Sequence, residues 1–180
     1  MTAKRAASSP LLRITEALDR INGLLGPVVS WLALAMVLVT FLVVVLRYVF
    51  DVGSIALQES VTYMHATLFM LGAAYTLRHD AHVRVDVFYR SASERHRALV
   101  NAVGTLLFLL PVCAYLLYEG VPYALASWRI GEGSREAGGL PALYLLKSLI
   151  PLTATLLGLQ GLALLARSLL VLRGSRRGGR

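Results

Sequence analysis

The sequence predicts an all-α integral membrane protein with four membrane-crossing helices, an N-terminal amphipathic interfacial helix and both termini in the cytoplasm. Three observations carry that expectation. Of 180 residues, 57% are hydrophobic and only 16% charged, whereas a soluble domain is about one quarter charged; the missing surface charge calls for lipid. The apolar residues fall in four long runs. Lysines and arginines gather at the edges of those runs, alternately dense and sparse.

The first element is a cytoplasmic segment, residues 1–26, holding an amphipathic helix over 9–25. Ser9 is a suitable N-cap, and Pro10 at the first helical position already has the φ a helix needs. Leu11, Ile14, Leu18, Ile21 and Leu25 recur at spacings of three and four and share a face with Ala17, opposite Arg13, Glu16, Asp19 and Arg20. Gly26-Pro27 reads as a break before the first span. Such a helix fits the interface plane of a membrane, or a position folded over the ends of the bundle.

A four-span domain follows over residues 27–172. Its first span, about 28–46, is uncharged and ends at Arg47. At about 1.5 Å per residue it matches a hydrocarbon core of roughly 30 Å. No small-residue cleavage site follows, so it reads as a retained span and not a signal peptide. The second span, about 57–77, carries Glu59 near its start and His65 further in, and ends at Arg78. The third, about 98–118, contains Asn101, Gly104 and Pro111. The fourth, about 142–167, is interrupted by Lys147, Pro151 and Gln160, and its apolar character persists toward Leu172. A tilt, or a bend at Pro151, accommodates the excess length. Residues 173–180 form a basic cytoplasmic tail.

Orientation follows from the basic residues. The N-terminal segment, the loop between spans two and three, and the C-terminal end hold fourteen lysines and arginines together. The other two loops hold only Arg47, Arg129 and Arg135, with Lys147 just inside the fourth span. The positive side faces the cytoplasm, so both termini do. The net charge of +8 alone would suit nucleic acid. Its placement at span edges, instead of over one folded face, excludes that partner and leaves the lipid bilayer.

Ionisable groups inside spans are functional candidates by default. Glu59 lies in the first turn of its span, where the helix dipole favours a carboxylate and Arg47 is available across a short loop. His65 is the only histidine within a span, so a bis-histidine haem site is excluded and one interhelical hydrogen bond is expected. His79, Asp80, His82 and Asp86 lie close together, but the interleaved arginines oppose a cation, and His82 can hydrogen-bond Asp86 four residues on if that stretch is helical. Lys147 can snorkel to the interface, and Gln160 can bond a neighbouring helix. Cys113 is a lone cysteine in an apolar run and reads as a small hydrophobe. Nothing in the pattern forms a nucleophile–base pair, a phosphate loop or a cofactor site, so no enzyme is expected. Four spans without internal repeat or paired broken helices are also a poor transport pathway.

Several stretches resemble one family. Arg47-Tyr48-Val49-Phe50-Asp51 is similar to its arginine-aromatic exit from span one. Gln58-Glu59, followed by Leu71-Gly72-Ala73-Ala74-Tyr75-Thr76-Leu77-Arg78, resembles its second span. His82-Val83-Arg84-Val85-Asp86 matches its HVRVD element, and Gly138-Gly139-Leu140-Pro141, Lys147 and Leu159-Gln160-Gly161 look like a subgroup pattern around the last span. The family is the small, DctQ-type membrane subunit of tripartite ATP-independent periplasmic (TRAP) transporters. The family often has tryptophan shortly before the glutamate, where this chain has Ile55-Ala56-Leu57. The resemblance implies a non-catalytic scaffold in the bacterial inner membrane. It would bind a large elevator-type membrane subunit, to which a periplasmic substrate-binding protein delivers an organic acid, with 2-oxo or hydroxy acids suggested by the Gly-Gly-Leu-Pro subgroup. On this reading Arg47, Glu59, His82, Arg84, Asp86, Gly139, Pro141, Lys147 and Gln160 are structural or interfacial residues. The alternative is a self-sufficient homo-oligomeric channel or exporter, in which Glu59, His65, Lys147 and Gln160 line a shared cavity.

Overall fold

The structure, a computed structural model, describes residues 10–79, 81, 82, 89 and 91–174, and side chains only within 29–173. The described residues form four long helices: α1 (Pro10–Val49), α2 (Ile55–Arg78), α3 (Glu94–Ile130) and α4 (Leu143–Gly174). α4 packs against each of the other three, and α1 and α2 pack on each other.

Among the described residues, stretches of three helices are long and apolar enough to cross a membrane: Val29–Val49, Glu94–Ile130 and Leu143–Arg173. α2 has the length, about 36 Å at 1.5 Å per residue. Gln58, Glu59 and His65 make it less apolar than the rest.

Helix boundaries have local causes. Ser54 caps α2, its hydroxyl accepting from the Leu57 N–H at 3.4 Å, and Arg78 lies in the last turn, where a cation suits the dipole. Ser93 caps α3 in the same way through His96 N–H at 3.3 Å. α3 ends at Gly131, whose φ of 58° closes the helix in the left-handed region that glycine tolerates.

One expected interruption is helical instead. α1 runs continuously from Pro10 through Gly26-Pro27 to Val49, so the sequence-predicted break between the amphipathic segment and span one is absent from the backbone. Where water cannot satisfy freed backbone groups, continuing the helix is the better solution. α3 stays helical beyond the third expected span of about 98–118, through Gly120 and Pro122, to Ile130. Gly120 explains the continuation: a Cβ there would stand 3.0 Å from Ile150 Cγ2 and 3.5 Å from Pro151 Cδ. Close approach of α3 and α4 therefore rewards a helical Gly120. Pro111 is accommodated differently. The preceding turn, Thr105–Leu109, widens to a π-turn, and Leu110 N–H reaches back to the Thr105 carbonyl.

The interior is made of small side chains. Ala74, Ala98, Ala102, Cys113, Ala124, Ala154 and Ala163 are buried, together with Thr105, Ser127, Thr153, Gln160 and Ser168. The outside carries the bulk: Trp31, Val37, Phe41, Leu107, Phe108 and Tyr115 are each more than 60% exposed. A soluble protein has the reverse arrangement. Small residues inside and large apolar ones outside is how helices pack in lipid, where close backbone approach and not water exclusion holds them together.

Candidate functional site

The end of the bundle that bears residues 131–142 is tied together by a polar latch. Residues 131–141 are rich in glycine and fold back on themselves: Ser134 N–H donates to the Leu140 carbonyl at 2.9 Å, and Gly139 N–H to the Glu136 carbonyl at 3.0 Å. Gly138 takes a φ of 79°. Glu59, at the start of α2, then grips both sides of this loop. One carboxylate oxygen accepts from the Ser134 hydroxyl, and the other from the Leu140 N–H at 2.6 Å. Gly139 is required by this contact, because a Cβ there would run into the Ser134 side chain and stand 2.8 Å from Glu59 Oε2. The backbone also passes closely on the far side, where a Cβ on Gly133 would sit 3.2 Å from Pro141 Cα.

A second clasp joins the loop to α4. Lys147 Nζ donates to Glu132 Oε2 at 2.5 Å and lies 4.2 Å from the centre of the Tyr123 ring on α3. The ammonium holds the Glu132 carboxyl below the usual carboxylate range. Beside it Trp128 Nε1 donates to Ser148 Oγ at 2.8 Å, and the Trp128 and Tyr144 rings meet at 4.4 Å. α2, α3, the loop and α4 are thus locked at one end by charge-assisted hydrogen bonds, the stronger kind.

The sequence-predicted residues divide accordingly. Glu59, Gly139, Pro141 and Lys147 come together in the latch. Arg47 does not: it is exposed, with no ion pair among the described residues, because Glu59 turns to the 131–141 loop instead. Lys147 is clasped and not simply extended toward the interface. Gln160 is buried in the middle of α4, 1% exposed. His65 makes no interhelical bond among the described residues; it lies exposed on α2 beside Phe69, ring centroids 6.4 Å apart. His82, at the opposite end, is exposed and lines a cleft of about 580 Å³ with Tyr89, His96 and Asn101. Arg84 and Asp86 lie outside the described residues, as does Asp80. Among the described residues no three metal-ligating side chains gather. Sequence reasoning missed Glu132, Ser134, Trp128 and Ser148. Their one signal was the glycine density of residues 131–139.

Small residues inside and bulk outside suit a bundle that packs in lipid, and comparison with known proteins names its family. Residues 36–171 match the DctQ component of the tripartite ATP-independent periplasmic transporters. The chain belongs to the DctQ family. It is therefore a transmembrane component of a transport system. A TRAP transporter small permease protein of Haemophilus influenzae is 35% identical to it over 92 residues, 51% of this chain and 55% of that relative. The chain thus aligns with about half the length of that curated relative. No solved structure matches. Among the residues of this DctQ chain, the whole latch lies within the matched region.

Proposed function

We propose that this chain is the small, non-catalytic scaffold subunit of an ion-coupled TRAP transporter that imports organic acids. It crosses the bacterial inner membrane four times, with α2 as the second crossing and both termini in the cytoplasm. Its N-terminal amphipathic segment lies at the cytoplasmic interface as an extension of α1. The partners are a large elevator-type membrane subunit and a periplasmic substrate-binding protein.

The observation that carries this reading is the interior. The bundle centre is filled by Ala74, Ala154, Gln160 and Ala163, each no more than 1% exposed, and polar groups are spent on holding the 131–141 loop. That composition favours a rigid support over a moving carrier. Family membership supplies the assembly in which such a support has a use.

The deciding experiment is uptake of radiolabelled organic acids by cells producing the transporter with and without this chain, alongside titration of the purified binding protein with the same acids. Uptake should vanish without the chain while binding-protein affinity stays unchanged. Uptake that persists undiminished rejects the scaffold reading. Ion flux through the purified chain alone in vesicles favours the homo-oligomeric channel.

A further inference from the structure

α2 is too polar by composition to be counted with the other membrane helices, and its polar residues are not where its packing is. Ala74 is buried against the bundle, and Glu59 is used by the latch. The residues exposed along the rest of the helix are Ile55, Gln58, Thr62, His65 and Phe69. Their spacings of three, four, three and four place them on one ridge. Outward faces elsewhere on the bundle carry Phe41, Leu107, Phe108 and Val112.

Three of these side chains lack hydrogen-bond partners among the described residues, and depth makes that matter. His65 lies ten residues into α2, about 15 Å from its start and so about half-way through a core of roughly 30 Å. The other serine and threonine hydroxyls of α2 are satisfied within the helix. Ser60 donates to the Leu57 carbonyl at 2.7 Å, Thr67 to the Tyr63 carbonyl at 2.7 Å and Thr76 to the Gly72 carbonyl at 2.9 Å. Thr62 makes no such bond. Acyl chains offer neither donor nor acceptor, so a hydroxyl and an imidazole left facing them are costly.

We propose that this ridge of α2 is the face that docks on the large membrane subunit, whose apposed transmembrane helix presents hydrogen-bonding groups to Thr62 and His65 and an apolar seat to Phe69. The inference rests on the scaffold reading above and assigns its interface. A polypeptide partner is required because only a polypeptide supplies hydrogen bonds at that depth. The large subunit is favoured over a second copy because the family is one component of a three-part system. Docking also accounts for the composition of α2: its polar ridge is covered once the complex forms.

The test is co-expression of the full chain with the large subunit of the same transporter, purification through a tag on this chain in mild detergent, and the ratio of the two proteins recovered. T62L/H65L removes both hydrogen-bonding groups and makes the ridge more compatible with lipid. Two interhelical hydrogen bonds in a membrane are worth about 1.4 kcal/mol together, so the pair should weaken association roughly tenfold. H65Q, which keeps a donor and an acceptor, should retain the partner, and F108L on the outward face of α3 should leave the ratio unchanged. The thermal transition of T62L/H65L alone should match that of the wild-type chain, separating docking from folding. Equal recovery of the large subunit by wild type and T62L/H65L overturns the ridge while leaving the scaffold reading intact. A wild-type chain that recovers no large subunit overturns both. A wild-type chain recovered as a dimer of itself, dissolved by T62L/H65L, gives the ridge to a second copy and overturns its assignment to the large subunit.

Discussion

Glu59 and Leu140, 81 residues apart in the chain, are joined by a hydrogen bond of 2.6 Å from the Leu140 N–H to the Glu59 carboxylate. The same carboxylate receives the Ser134 hydroxyl, so one side chain of α2 fixes both sides of the loop before α4. Glu59→Gln keeps the shape, but its amide has one acceptor oxygen where the carboxylate has two. The expected outcome is several-fold faster hydrogen exchange at the Leu140 amide, with exchange inside α4 little changed. Unaltered protection at Leu140 would remove Glu59 from the latch.

Gly139 and Gly138 are adjacent, yet they are glycine for different reasons. At Gly139 a methyl group meets Ser134 and the Glu59 carboxylate, so Gly139→Ala should overpack the latch and cost about 1–3 kcal/mol. At Gly138 space is open and the constraint is the φ of 79°. Gly138→Ala should cost about 1–2 kcal/mol, and Gly138→Asn less, because asparagine tolerates that region. Combining each with Glu59→Ala, which removes the side chain instead of replacing it with one of the same shape, distinguishes them. The Gly139→Ala penalty should shrink when the carboxylate is gone, and the Gly138→Ala penalty should not. Thermal unfolding in detergent reads both.

The clasp between Lys147 and Glu132 sets a pH dependence. Glu132 has a folded-state value below its ordinary one. Its stabilising contribution is therefore complete above the unfolded value of about 4.3 and lost as pH falls through the lower folded value. In a Trp31→Phe background, Trp128 fluorescence reports this region, since the Trp128 ring meets Tyr144 at a tilt, one turn from Lys147. The signal should stay flat from about pH 8 to 5 and change only in stronger acid. Lys147→Met should move that acid transition up toward the ordinary carboxylate range, because the ammonium is the largest cause of the lowered Glu132 value. A transition near neutral pH would show that another group governs the loop.

What could be read from the sequence depended on range. Uncharged runs revealed three helices because lipid selects composition residue by residue. Glu59 and Lys147 stood out because charge inside a span is conspicuous. Their partners were hidden: neither Ser134 nor Glu132 has any local pattern pointing to residues on α2 and α4. The same limit assigned Glu59 to nearby Arg47 instead of a loop 75 residues away. The helical extent of α3 beyond the third span was not legible either, because Gly120 answers to Ile150 on another helix. His65 shows the converse, a polar residue expected inward that the fold leaves on the outside.

The inside-out packing makes opposite demands on neighbouring positions. Ala154 is fully buried on α4, while Phe108 on α3 is 70% exposed. Ala154→Leu should separate the helices and cost about 1–3 kcal/mol or more, whereas Phe108→Leu should change stability by no more than about 0.5 kcal/mol. Thermal unfolding of the two variants in the same detergent compares them directly. Equal effects would contradict the small-residue core.

The proposed topology can be tested at two exposed arginines, Arg135 in the latch loop and Arg95 in the first turn of α3. Fourteen basic residues on one side predict that Arg95 faces the cytoplasm and Arg135 the periplasm. Cys113 is the only cysteine and is buried, 3% exposed. Cys113→Ala therefore leaves a background with no thiol and little lost packing. In that background Arg135→Cys should react with a membrane-impermeant maleimide in cells whose outer membrane has been opened. Arg95→Cys should react only after the inner membrane is opened as well. The reverse pattern would invert the chain and place the latch in the cytoplasm, out of reach of any periplasmic binding protein. Labelling of both sites from the periplasm would mean that the chain between them does not cross, which α3, with 37 helical residues between Glu94 and Ile130, is long enough to do.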